Sequence, residues 1–130
     1  MSAVINPETL SKPKNTSHGI KATGAVVIVS GQYPYDKNEQ IVGGGDFAKQ
    51  FAQSLANVLN VVKEAGGTPQ NLVKLSVYFS SKWAYLAQQD EVDKEMRSLL
   101  GEHRPPTTYL EIKGFTDDRA MVMVEAMAVV

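Results

Sequence analysis

Apolar residues recur along this chain with two different periods. Between Asp46 and Gly66, the positions Phe47, Phe51, Leu55, Val58, Leu59 and Val62 repeat at three and four residues, which sets them on one face of a helix. Asp46 is suited to cap that helix and Gly66-Gly67 to end it. From Leu72 to Ser80 the period falls to two: Val73, Leu75, Val77 and Phe79 alternate with Lys74, Ser76 and Tyr78, which predicts a strand with one apolar face. Ser80 or Ser81 can cap a second helix reaching about Leu100, with Leu86, Val92, Met96 and Leu99 inward and Gly101 just past its end. The rigid Pro105-Pro106 pair separates it from a strand at Thr107 to Lys113, and Thr116 to Arg119 turns the chain into a last strand, Ala120 to Val129. Nearer the N-terminus, His18 to Ala22 and Ala25 to Ser30 are strand-like segments around Thr23-Gly24, which predicts a hairpin. The order ββαβαββ implies an α+β fold, a mixed sheet with both helices on one face.

The other face of that sheet has no cover in this chain. On the last strand Val122, Val124, Ala126 and Ala128 point one way and Met121, Met123, Glu125, Met127 and Val129 the other, so both sides are mostly apolar. Ala25 to Ser30 is likewise apolar on both sides. Soluble proteins rarely leave such a surface in water, and further copies of the same chain are the simplest cover, so an obligate homo-oligomer is expected.

Composition narrows the chemistry. The 130 residues suffice for one core in a single domain spanning 1–130. With no cysteine there is no disulfide, thiolate metal site or Cys nucleophile, and two distant histidines, His18 and His103, make a poor metal centre. No cofactor or metal is expected. A net charge of −1 without a basic block gives no footprint for nucleic acid or an anionic membrane. The longest apolar run, Ala25 to Val29, is far short of a membrane span, and no signal-peptide layout opens the chain, so a cytoplasmic protein is expected. Gly43-Gly44-Gly45 precedes a helix but lacks the Lys-Ser/Thr ending of a phosphate loop and is taken as a connector.

Several stretches carry a family resemblance: Ser30-Gly31-Gln32, Gln53 to Val58, Ala65-Gly66-Gly67, Val73 to Tyr78, His103-Arg104-Pro105 and Val124 to Ala128. From about residue 16 onward, in order and with few length differences, the sequence resembles the Rid/YjgF family. The resemblance implies a chorismate-mutase-like fold, a barrel-forming homotrimer, and small-molecule pockets between subunits. Its best-known members hydrolyse reactive enamines and imines to a keto acid and ammonia without cofactor or metal. Two pocket positions depart from the family pattern. The Arg that clamps a substrate carboxylate is Thr107 here, and a pocket Tyr is Thr16, beside Ser17. A helix Asn of the family corresponds to Asp90, which adds negative charge.

The family's water-positioning carboxylate is retained as Glu125. Alternation sets it among Met121, Met123 and Met127, where a carboxylate needs a partner and suits a general acid/base; an ion pair at a subunit interface is the bland alternative. Thr107, Tyr109 and Glu111 share one strand face and form either a pocket wall or a solvated sheet surface, with Thr108 between them. Arg104 either supplies the missing cation or is a surface charge, and Asp90 either borders the cleft or belongs to a hydrated helix face. The resemblance implies that Ser30 and Gly31 frame the pocket, with Tyr33, next to the matched Ser-Gly-Gln, the candidate for its rim. His18, alone at a strand start, is expected to be a packed, hydrogen-bonded residue. The expected function is hydrolytic deamination of a small C=N compound other than the usual amino-acid-derived enamine. The alternatives are a metabolite-binding trimer without turnover and a chaperone-like oligomer.

Overall fold

The computed structural model describes residues 2–130 and shows the α+β architecture that the two periods imply. In chain order the elements are β1 (Ser2–Ile5), β2 (Gly19–Ala22), β3 (Val26–Gln32), α1 (Phe47–Glu64), a 3-10 turn at Pro69–Asn71, β4 (Leu72–Phe79), α2 (Lys82–Ala87), α3 (Gln89–Leu100), β5 (Thr107–Glu111) and β6 (Val122–Val129). Four strands form the main sheet in the order β3-β6-β4-β5. β6 runs antiparallel to β3 and β4, whereas β5 lies parallel to β4, because the α2–α3 segment carries the chain back across the sheet.

The helices cover one face. Phe51, Leu55, Val58 and Val62 of α1 and Val92, Met96 and Leu100 of α3 are fully buried against Leu75 and Val77 of β4 and Val122 and Val124 of β6. Each such side chain removed from water contributes roughly 1.5–3 kcal/mol before chain entropy is counted. Asp46 caps α1 as the sequence implies, its carboxylate accepting from the Lys49 N–H at 3.2 Å. No helix among the described residues is long and apolar enough to cross a membrane.

Three expectations are corrected. The segment before Thr23 does not pair with the one after it. β2 instead pairs antiparallel with β1, a strand the periodicity did not reveal, while β3 pairs with β6. Gly24 has a different duty: at φ 148°, a side chain there would lie 2.5 Å from the Val130 carbonyl oxygen, so only glycine lets the chain pass the end of β6. The second helix is broken at Gln88, whose φ of −122° leaves the helical range. That break resets the helix phase, so Tyr85 is buried and Leu86 is exposed.

Candidate functional site

Glu125 lies on the uncovered face of the sheet, opposite the helices. Its neighbours in sequence, Val124 and Ala126, point into the core, so strand alternation turns Met123, Glu125 and Met127 outward. On β4 the same alternation turns Lys74, Ser76 and Tyr78 outward. The register then aligns Glu125 with Ser76, and Ser76 with Thr108 of β5, in one row across three strands. Lys74 Nζ donates to Thr108 Oγ1 at 2.6 Å. Tyr78 donates its phenolic hydrogen bond to Glu125 Oε1, which gives the carboxylate the partner its surroundings demand. That hydrogen bond, then burial, then the negative charge of Glu125 push the Tyr78 phenol above its ordinary pKa. Ile28, Lys74, Ser76, Glu125 and Met127 line a cavity of about 190 Å³.

Thr107 and Tyr109 face the other way. Their register partners Leu75 and Val77 are core residues, so the alternation that brings Thr108 beside Lys74 directs Thr107 and Tyr109 toward the helix layer. Tyr109 stacks on Tyr85 with ring centroids 5.0 Å apart, and Tyr85 stacks on Phe79 at the same spacing. With Lys14, Gln89, Asp90 and Asp93, these two tyrosines line a cavity of about 320 Å³. Burial raises the Asp93 carboxyl against the opposing pull of Arg97, and Asp90 adds to the rise. Asp90 itself is exposed on the first turn of α3.

Thr16, Ser17 and Arg104 form a third group, a seam between the N-terminal segment and the loop entering β5. Ser17 Oγ donates to the Arg104 carbonyl at 2.8 Å, and the Thr107 N–H donates to Thr16 Oγ1 at 2.9 Å. The two positions where the family pattern is broken are thus bonded to each other. Thr107 Oγ1 donates to the Pro105 carbonyl at 2.9 Å, so its hydroxyl serves the loop. Arg104 spends one guanidinium nitrogen on the carbonyls of Gly101 and His103, at 2.6 and 2.8 Å, and has no carboxylate partner among the described residues. Thr16, Ser17 and Arg104, together with Val4, Leu10 and Lys12, border a cavity of about 610 Å³.

The remaining candidates lie at the far end of β3. Ser30 is exposed, and Gly31 sits at an irregularity in the β3–β6 pairing, where a side chain would come within 2.6 Å of Met123 Sδ. Tyr33 packs edge-on against Phe115 and shares a 3.1 Å hydrogen bond with Thr116 Oγ1. His18 is hydrogen-bonded as expected, its Nε2 2.6 Å from the Ser11 carbonyl oxygen, but it is exposed rather than packed. One copy of the chain therefore brings Glu125 and Thr108 together and keeps Thr107, Tyr109 and Asp90 on the opposite side of the sheet. Sequence reasoning passed over Tyr78, Ser76 and Lys74. They looked like the wet face of a half-buried strand, and the missing signal was that β4 is central and lies next to β6.

Comparison with known proteins decides the lineage. The sequence profile described as Endoribonuclease L-PSP matches residues 9–130. The chain belongs to this family, which is the Rid/YjgF family. A RutC family protein of Pyrococcus horikoshii is 30% identical over 129 residues, covering 98% of each chain. Among solved structures, YyfB of Yersinia pestis, described as a Rid family protein of unknown function, superposes with a TM-score of 0.88 at 26% identity, over 99% of this chain and 98% of that one. The YjgF gene product of E. coli superposes with a TM-score of 0.68, also at 26% identity, over 87% of this chain and 86% of that one. The Rid/YjgF fold expected from the sequence is the fold observed.

Proposed function

We propose that this Rid protein is a cofactor-free hydrolase of a small enamine or imine, working in clefts between the subunits of a homotrimer. The observation that carries the reading is Glu125, a carboxylate held by a phenol on an apolar sheet face that the chain itself leaves open. A carboxylate in that setting can take a proton from water as the water oxygen adds to the C=N carbon, and return it to the departing nitrogen. Imine and water become a carbonyl compound and ammonia, so no redox partner or electrophilic cofactor is required. The reading sets this work in the cytoplasm, where metabolism releases such intermediates.

Assembly into clefts is supported by exposure. Val26, Ile28, Leu110 and Met127 of the open face are 59%, 67%, 51% and 40% exposed in the single chain, an apolar surface that copies of the chain would cover. It is also supported by the scatter of Thr16, Ser17, Tyr33, Asp90, Arg104, Thr107 and Tyr109 over regions remote from Glu125, whereas Ser30 and Gly31 already lie beside it in the β3–β6 pair. The substrate in this reading is not the usual amino-acid-derived enamine, since Thr107 lacks the guanidinium that would clamp its carboxylate and Asp90 and Asp93 border the cavity beside Tyr109.

The test is ammonia release from imines generated in situ, one arm by a flavin-dependent amine oxidase and one by an amino acid oxidase. The native protein is expected to accelerate hydrolysis in the first arm above the spontaneous rate. Glu125→Gln should lose about 100-fold or more, the usual contribution of a positioned acid/base. No acceleration in either arm would refute the hydrolase. The neutral, loop-bound Thr107 favours one second reading, a trimer that binds a metabolite without turnover, and saturable binding without ammonia release would establish it.

A further inference from the structure

We propose that Tyr78 is the positioning residue of this site: its phenol pins one oxygen of Glu125 and leaves the other aimed at the cavity that Ser76 and Lys74 border. The inference rests on the hydrolase reading and adds the group that gives Glu125 its direction. Three independent features of the sheet build the contact. First, Tyr78 stands on β4, which is hydrogen-bonded on both sides, to β5 and β6, so its backbone is held more firmly than an edge strand would allow. Second, the register pairs Tyr78 with Met123, and Glu125 is the diagonal neighbour two residues on, a separation that a long aromatic side chain spans.

The third feature is the space through which the phenol crosses. Met123, directly opposite Tyr78, would obstruct the diagonal if its side chain leaned toward β4. Its sulfur and both flanking carbons instead lie over Gly31 of β3, close enough that a Cβ at residue 31 would meet them at 2.6 to 3.0 Å. The notch left by the missing side chain accepts the thioether, and the path from Tyr78 to Glu125 stays open. Gly31 thereby acts on Glu125 at second hand, through Met123.

The chemical consequence is asymmetry between the two carboxylate oxygens. Oε1 accepts from Tyr78, while Oε2 has no hydrogen-bond partner among the described residues. When water adds to a C=N carbon, its oxygen forms the new C–O bond and the π pair moves to nitrogen. The released proton goes to Oε2 and from there to nitrogen, giving a carbinolamine; Oε2 then passes the carbinolamine hydroxyl proton to the same nitrogen as the C–N bond breaks, the C=O bond forms and ammonia leaves. Tyr78 keeps its own proton throughout, and its elevated pKa keeps it a donor over the whole neutral range. Glu125 is the catalytic residue and Tyr78 acts through it.

Tyr78→Phe removes one hydroxyl and leaves the ring. In the amine-oxidase assay it is expected to lower kcat by about tenfold with KM changed by less than about twofold, the pattern of an interaction needed in the transition state rather than for binding. Turnover with unchanged kcat would overturn the role of Tyr78 and leave the hydrolase standing. Absence of turnover by the native protein would overturn both. An activity-independent check covers the case in which the variant misfolds. In tyrosinate absorbance titrations, Glu125→Gln should shift one phenol to lower pH than in the native protein, and superimposable curves would deny the pairing.

Discussion

Tyr109 lies under Tyr85 with its hydroxyl unpaired among the described residues. Burial, reinforced by the nearby Tyr85 and Asp93, lifts its pKa well above the ordinary 10.0. The folded state therefore holds this proton more tightly than the unfolded chain does. The associated stability is complete below about pH 10, where the unfolded phenol is still protonated, and drains away as pH rises through the folded value. Tyr109→Phe should change the urea midpoint little at pH 7 and make it less sensitive to pH above 10; equal alkaline losses in both proteins would contradict the assignment. The side chain that matters here was nameable from sequence, but its direction was not. Period two correctly grouped Thr107 with Tyr109 and Glu125 with the methionines. Which of the two groups met the helices depended on the β4–β5 and β4–β6 registers, and those are set by contacts far apart in the chain.

At the scale of elements, the long periodic segments were legible and the short ones were not. α1 carries its own cap, its own stripe and its own stop, so eighteen residues could be bounded from local signals alone. β1 has four residues, all exposed, and therefore no alternation to detect. Thr23-Gly24 announced a change of direction without saying which strands it would separate. The break at Gln88 has a tertiary cause as well: its side-chain oxygen accepts from the Ala48 N–H at 2.8 Å, so this residue helps satisfy the first turn of α1. Gly24 offers the sharpest test at this level. Alongside it, Ala25 and Val130 exchange both backbone hydrogen bonds at 2.9 Å, which fixes the start of β3 against the end of β6. Gly24→Ala should cost about 2 kcal/mol or more, from the disfavoured φ together with the clash at the Val130 carbonyl. Chemical denaturation would measure it, and a midpoint equal to that of the native protein would show that the crossing is not as tight as described.

For the molecule as a whole, the two faces of the main sheet set the question. One is closed by α1 and α3. The other carries Val26, Ile28, Leu110 and Met127 around a polar row of Lys74, Ser76, Tyr78 and Glu125, and nothing among the described residues covers it. The sequence already announced this imbalance, since β3 and β6 are apolar on both sides, and the resemblance to Rid proteins supplied a geometry for resolving it. What could not be read was how the candidate residues divide between copies. Thr107 and Glu125 reside on opposite faces of one sheet, and a shared site for them requires a neighbour. The functional reading, the role of Glu125 and the positioning by Tyr78 all presuppose that the open face is buried between subunits. Sedimentation equilibrium of the purified native protein at micromolar concentration measures this most directly. The expected mass is three times the 14.2 kDa of the chain; a stable species at the mass of one chain would contradict the account.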